Sequence, residues 1–456
     1  HAARVLPGYK PCNKIKVLKS IEDKVEIIIV ISSNDILFGK IRGDSGVTYQ
    51  AEVLRLIDIF RGLNLCIGGV VITQYKSSYP VVKFKKKLEE EGIRVYKHYL
   101  IEGYPTNIPL IVSDKGFGKN EYIETSRPVV AVTAPGPGSG KMAVCLSQLY
   151  QDAKSGIKSG YSKFETFPVW DLPTNSAINL AYEAATADLG DKIVIDSYHL
   201  RQYGIVSASY TRDLEAYPVL DAILTEIYDI SPFQSPTDMG VNNIADSIID
   251  LEICELAAER EVIRRYYKSL ESDIKEGYKS EETRRIEFIM KQLSVNQNSL
   301  KEAKKAKDKS RREGSKPVVA IMLKNGRIIT GKESELLTSL SACILNALKI
   351  ISNIEDNIHL IQPESIIPIQ KLKSLMDIQH GLQLDCRETL IALAASACSD
   401  EKANLALQNV SKLRGTTAHS TVILNKVEKE LLKELGIHIT CEPVYRNPDR
   451  LFSREN

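Results

Sequence analysis

Between residues 24 and 101, short β-branched runs alternate with amphipathic stretches, and this alternation limits the fold more than any other feature of the chain. "KVEIIIVIS" (24–32), "CIGGVVITQY" (66–75) and "IRVYKHYLI" (93–101) have the length and side chains of buried strands. "TYQAEVLRLIDIFRGL" (48–63) places Val53, Leu54, Leu56, Ile57 and Phe60 on one helical face. "VVKFKKKLEEEG" (81–92) reads as a charged helix that stops at Gly92, a residue suited to a left-handed C-terminal cap. Strand, helix, strand, helix, strand closes as a parallel sheet, because parallel neighbours need long crossovers and these are right-handed.

A chain of 456 residues is too long for one ordinary core. The expected fold is multidomain α/β. A Rossmann-like parallel-sheet unit spans 1–126, a P-loop-like α/β unit with a helical extension spans 127–315, and a C-terminal α/β unit spans 316–456. The first junction falls near Arg127, at the end of the loop-rich stretch 102–128, and the second at the end of "KEAKKAKDKSRREGSK" (301–316). This Lys/Arg run shows no apolar stripe, so it reads as a solvated helix end or linker. "IADSIIDLEICELAAEREVIRRYYKSLESDI" reads as one long helix, and so does "DCRETLIALAASACSDEKANLALQNVSKL". "PVVAIMLKNGRIITGK" reads as a hairpin around Asn325-Gly326.

Composition narrows the partners. The net charge of +2 gives no global field for nucleic acid or membrane. No apolar run approaches the roughly 20 residues of a spanning helix, so a cytoplasmic protein is expected. The 8 cysteines form no C-x-x-C pair and the 7 histidines no H-E-x-x-H. Reduced, buried thiols are expected, and no zinc. The long helix near 243–275, apolar on one side, favours a homo-oligomer.

The densest functional signal is "VVAVTAPGPGSGKMAVCLSQLY" (129–150): a strand, a Gly/Pro loop, then a helix. A nucleotide P-loop is G-x-x-x-x-G-K-[ST] in that setting. Gly140 and Lys141 fill the G-K positions, while Pro135 replaces the first glycine and Met142 the metal-binding hydroxyl. What survives is an anion cradle of Gly136, Gly138, Ser139, Gly140 and Lys141 at a helix N-terminus. A tight turn also uses glycines, but not a lysine at the helix start. "KIVIDS" ends in Asp196, in the form of a strand-end aspartate on Mg²⁺, though such residues also cap helices. Strand alternation places Lys163 and Glu165 of "YSKFETFPVW" on one face. "SPTDMGVN" supplies Asp238, and "KIRGDSGVTY", after the first strand, supplies Arg42 and Asp44. In the last domain, Lys332 and His419 fall in hydroxyl-rich segments read as loops, with a lone histidine more often structural than catalytic.

The motifs "RVLPGY", "KIRGDSGVTY", "IVSDKGFGKNEYIET", "VTAPGPGSGKMA", "GYSKFETFPVW", "AYEAATADL", "SPTDMGVN" and "AHSTVIL" resemble a bacterial protein family, the one labelled domain of unknown function 1846 (uncharacterised protein family 0371). The resemblance covers essentially the whole chain. It brings no activity, substrate or catalytic residue, and links of some relatives to zinc-dependent proteolysis find no ligand pattern in this sequence. It implies that Pro135 and Met142 belong to the family's own form of the loop, and that a further segment precedes His1. The resulting expectation is an enzyme that binds a nucleotide or phosphorylated metabolite, with or without Mg²⁺, and performs phosphoryl or nucleotidyl transfer. Lys163, Glu165, Asp238, Arg42 and Asp44 are the expected catalytic residues. The alternatives are a non-catalytic nucleotide or metabolite sensor and an oligomeric interaction protein.

Overall fold

Every residue of Val25–Ser32 (β1) is buried, as a central parallel strand covered on both faces requires. Cys66–Thr73 (β2), Val95–Lys97 (β3) and Val129–Thr133 (β4) complete a four-stranded parallel sheet of order β3-β2-β1-β4. The computed structural model that shows this describes residues 2–10, 13–42, 46–242, 244–375 and 381–446. The stretch expected to open a second unit at 129 is therefore the fourth strand of the first sheet, with Val25 opposite Val129 and Ile29 opposite Thr133. The presumed junction is also tied down. The buried Glu26 carboxylate accepts from the amides of Ser126 (2.7 Å) and Arg127 (3.1 Å).

Two helices, Ser33–Leu37 (α1) and Tyr49–Gly62 (α2), link β1 to β2. Tyr79–Glu90 (α3) links β2 to β3, and Lys141–Lys154 (α4) follows β4. Ile27, Ile29 and Ile31 of β1 face Val53, Ile57 and Phe60 of α2 and Phe84 and Leu88 of α3. Ile28 and Val30 face the other way, toward Val71, Tyr96 and Val144 of α4. The period-2 alternation of an all-apolar strand thus builds two cores, one on each side of the sheet.

The chain divides into two compact units, His1–Asn179 with Asp191–Asp250, and Leu180–Gly190 with Leu251–Asn456. In the first, the strands beyond α4 are short: Lys163–Phe164 (β5), Ile193–Ile195 (β6), Ala208–Tyr210 (β7) and Gly240–Val241 (β8). β5 pairs with β8 and β6 with β7, so the strand leading to Asp196 lies in a two-stranded sheet of its own. Ser197–Tyr203 (α5) and Thr211–Tyr228 (α6) complete the unit. Leu146 and Leu149 of α4 pack against Tyr217, Leu220, Ile223 and Leu224 of α6.

The second unit contains Leu251–Glu276 (α7), Glu281–Gln292 (α8) and Lys301–Arg312 (α9). It also holds a sheet of Val318–Met322 (β9), Ile328–Lys332 (β10), Thr417–Ser420 (β11) and His438–Cys441 (β12), in the order β10-β9-β11-β12. β9 and β10 form the expected hairpin, with Gly326 at a φ of 80° in the turn. Ser339–Ile351 (α10) covers the face bearing Val319, Ile321 and Ala418.

Several sequence-based expectations change. The Lys/Arg run is not solvated throughout. It forms α9, whose Glu302, Ala303 and Ala306 are buried, Ala306 against Val318 and Ala320. Alanine allows close approach to the sheet but leaves no large-residue stripe to read. The long helix starts only at Leu251, after a 3₁₀ turn at Ala245–Ser247. The 385–413 stretch splits into Cys386–Ser396 and Glu401–Gln408, because the Asp400 side chain caps a new helix through the amides of Lys402 and Ala403. His419 lies inside β11 rather than in a loop, and Lys332 ends β10 with its ammonium 2.8 Å from Glu313. No helix among the described residues is long and apolar enough to cross a membrane.

Candidate functional site

The chain leaves β4 beside β1 and reaches α4 through residues 134–140. Gly138 and Gly140 take φ values of 79° and 90°, where an L side chain is strained. Gly140 is the N-cap residue of α4, and no side chain caps that helix. By contrast Ser32, Thr48 and Asp196 cap α1, α2 and α5 through side-chain oxygens. The amides opening α4 lack such an acceptor, as do those opening α3 and α6.

The loop is held from beneath. Thr73 Oγ1, at the end of β2, donates to Ser139 O at 2.8 Å, and Ser139 Oγ donates to Gly136 O at 3.1 Å. A Cβ on Gly140 would lie 3.1 Å from Thr73 Cγ2, and one on Gly136 only 2.2 Å from the buried Tyr49 hydroxyl. Glycine is needed at both positions for close approach.

Lys141 begins α4, partly buried. Its Nζ meets Gly136 O at 3.5 Å and no carboxylate among the described residues. Burial lowers the pKa of its ammonium, and the Cys145 thiol one turn later offsets part of that. A cation and a helix N-terminus, both positive, therefore share one place with no negative partner among the described residues. An anion is what balances such a place.

A second charged group surrounds β5. The amides of Lys163 and Glu165 donate to Met239 O (2.7 Å) and Val241 O (3.2 Å). β8 fits there because its Gly240 lies under Trp170, whose ring a Cβ would approach to 2.6 Å. Lys163 Nζ lies 2.8 Å from Asp213 Oδ2 and 3.2 Å from Glu165 Oε1. Burial alone would lower the Lys163 ammonium, but Glu165 and Asp213 outweigh it and raise it. Burial raises the Glu165 carboxyl, Lys163 opposes and Asp213 reinforces, and the net shift is upward. Lys14 donates to Phe164 O at 2.8 Å and is lowered by burial despite Glu165. Burial pushes the Tyr161 phenol above its ordinary range, with Cys145, Glu165 and Asp213 adding to the effect.

The other expected residues have other partners. Asp196 is fully buried, and its two oxygens accept four hydrogen bonds, from Tyr198 N, His199 N, Thr237 N and Thr237 Oγ1. It caps α5 and ties it to the 235–240 loop, which leaves it poorly disposed as a metal ligand. Asp238 accepts from Gln234 N (2.9 Å) and the Tyr203 hydroxyl (3.0 Å), and lies 3.5 Å from His199 Nδ1. The hydroxyls of that loop are also engaged, Ser235 Oγ lying 3.0 Å from His199 Nδ1 and Thr237 Oγ1 donating to Asp196 at 2.7 Å. Arg42 Nη1 pairs with the buried Glu52 at 2.7 Å, and Asp44 lies outside the described residues. No group of three or more His, Cys, Asp or Glu that could hold a metal ion occurs among the described residues.

Sequence reasoning missed Thr73, Tyr49, Cys145, Tyr161, Asp213 and Lys14. Thr73 had a signal, since it ends a strand of the sheet whose other ends were already suspected. Tyr161 lies two residues before Lys163, in phase with it. Tyr49, Asp213 and Lys14 arrive from distant segments and had none.

A family model described as "Domain of unknown function DUF1846, N-terminal" matches residues 1–294, and its C-terminal counterpart matches residues 295–452. A UPF0371 protein of Streptococcus pyogenes serotype M5 (strain Manfredo) is 48% identical over 447 residues, 98% of this chain and 90% of that protein. A UPF0371 protein of Streptococcus uberis is 47% identical over 454 residues, 100% of this chain and 92% of the relative. With both family models placed end to end along it, the chain belongs to the DUF1846 (UPF0371) family.

Proposed function

We propose that the first unit binds a phosphorylated small molecule, a nucleotide or a phosphorylated metabolite, with a phosphoryl group on Gly136–Lys141. The observation that carries this reading is Lys141, partly buried at a helix N-terminus that no side chain caps, with no carboxylate partner among the described residues. Two features support it. The strand order β3-β2-β1-β4 is that of a Rossmann-like half-sheet, in which the connections change direction between β1 and β4. Ligands of open α/β sheets sit beyond the carboxyl ends at such a point, and the loop leaves β4 there. The strand–loop–helix with Gly140-Lys141 is also P-loop-like in its anion-binding part.

The residues present do not fit a Mg²⁺ held by the protein. Met142 occupies the hydroxyl position, Ser139 Oγ is engaged with Gly136 O, and Asp196 is filled by four donors. A metal would enter only on a ligand's own phosphates. In a transferase or hydrolase, Lys141 would neutralise charge developing on the phosphoryl oxygens. Glu165, with its raised pKa, is the carboxyl suited to move a proton. A second reading, a non-catalytic sensor, is favoured by one observation: Asp196 and Asp238 are both committed to holding α5.

The test is thermal stabilisation of the full chain by inorganic phosphate, AMP and ATP, with and without chelator, in wild type and Lys141→Met. A ligand at about 100 times its Kd stabilises by about 2.7 kcal/mol. Stabilisation by a phosphorylated compound that disappears in Lys141→Met supports the site, and equal stabilisation of both proteins rejects it. Product formed from the bound compound separates enzyme from sensor.

A further inference from the structure

The second unit contains a buried ionisable group that plays no part in the reading above. By register, His419 of β11 lies opposite Ala320 of β9 and Thr440 of β12. It therefore shares the sheet face on which Ala320 meets Ala306 of α9, away from the core under α10. His419 is 0% exposed. Its Nδ1 is 2.8 Å from Thr440 Oγ1, and its ring is 5.0 Å from that of Tyr267 on α7. Its Nε2 is 3.2 Å from Glu442 Oε1, though off the line of a good hydrogen bond.

That single oxygen of Glu442 also accepts from the Tyr267 hydroxyl at 2.9 Å and lies 3.1 Å from the Lys307 ammonium of α9. One carboxylate oxygen thus joins β11, α7 and α9. Its charge is already matched by Lys307. The neighbouring pair, Arg260 of α7 and Glu302 of α9, is likewise matched, at 2.5 Å. An imidazolium at His419 would be a surplus cation in a place closed to water.

We infer that protonation of His419 loosens the packing of α7 and α9 on β11 and β12, making this face of the second unit an acid-sensitive latch. The charged and titratable groups around it are Glu442 after β12, Tyr267 and Arg260 on α7, and Glu302 and Lys307 on α9. Burial lowers the His419 pKa below 6.5, Glu442 pulls it back and Lys307 pushes it down further. The unfolded or opened form therefore takes up the proton first. The stabilisation is complete above pH 6.5, the ordinary histidine value, and is lost as pH falls below it. Burial would raise Glu442, but the close approach of His419, Lys307 and Tyr267 holds it at about 2, so it stays ionised throughout this window.

Hydrogen–deuterium exchange of the full chain from about pH 7.5 to about pH 5, corrected for intrinsic rates, tests this. Opening of α7 and α9 peptides should increase by up to about tenfold per pH unit below 6.5. Peptides of α10, on the opposite face, should show no such step. His419→Gln can still offer an N–H to Glu442 without titrating, so the step should vanish. A flat profile in wild type, or the same step in His419→Gln, overturns the inference. If that variant does not fold, the His419 imidazole of wild type is titrated by NMR. A midpoint below 6.5 in step with the exchange supports the latch, and one at or above 6.5 overturns it.

Discussion

Two lysines of the first unit sit in opposite circumstances. Lys163 is drawn from water between two carboxylates, Glu165 and Asp213, at 3.2 and 2.8 Å. Lys141 is also partly withdrawn from water, yet among the described residues its partner is a main-chain oxygen at 3.5 Å, at the positive end of a helix. A buried charge needs a counter-charge, from the protein or from something bound. Lys163 has its counter-charges within the fold, so its role is explained without a ligand. Lys141 has none among the described residues, and that difference marks the loop, rather than Lys163, as the place for a bound anion.

The comparison can be broken by removing each lysine in turn. Lys163→Met leaves Glu165 and Asp213 without their cation, and a loss of about 3 kcal/mol is expected in denaturant unfolding. The loss should shrink as pH falls and Glu165 takes up its proton. An unchanged midpoint would mean that Lys163 is not held as a structural pair. Asp196→Ala extends the test to a residue whose donors are all internal. Losing a buried cap and the tie to Thr237 should cost roughly 2 kcal/mol, without altering any response to phosphate. A lost phosphate response with the fold intact would return Asp196 to the ligand site.

The rule for buried charge extends to a neutral group. His98 is 4% exposed, with Nε2 3.2 Å from Glu121 O, and burial lowers its pKa to about 4. The unfolded chain then binds its proton first, so stability is full above pH 6.5 and falls as pH drops toward 4. The contribution is at most roughly 3 kcal/mol, and His98→Gln should flatten this limb of the pH–stability curve. The smallest effect, and the sharpest, belongs to the other lysine. Lys141→Met removes an unmatched cation from a helix N-terminus, so stability without ligand should stay level or rise by up to about 1 kcal/mol. A loss comparable to that of Lys163→Met would erase the contrast.

Much of this fold was legible because its strands announce themselves. β1 is apolar at nearly every position, Asn325-Gly326 marks a hairpin, and Gly140-Lys141 opens a helix after a strand. The α9 stripe was hidden because Ala303 and Ala306 pack closely without being large. The fate of Asp196 was undecided because a strand-end aspartate serves metal or cap equally well, and only Thr237, 41 residues away, decides between them. The pairing of Lys163 with Glu165 followed from strand alternation, whereas Asp213, 50 residues on, had no local signature. Long-range partners complete the charge balance of a site, and local sequence does not reveal them.

The most direct measurement is the titration of the Lys141 ammonium by NMR in the full chain, with and without inorganic phosphate, assigned through Lys141→Met. A pKa below the ordinary 10.5 is expected in the free protein, because burial is opposed by no carboxylate among the described residues, and a rise is expected when phosphate binds. An ordinary pKa, or one indifferent to every phosphorylated compound tested, would contradict the claim that this loop is an anion site.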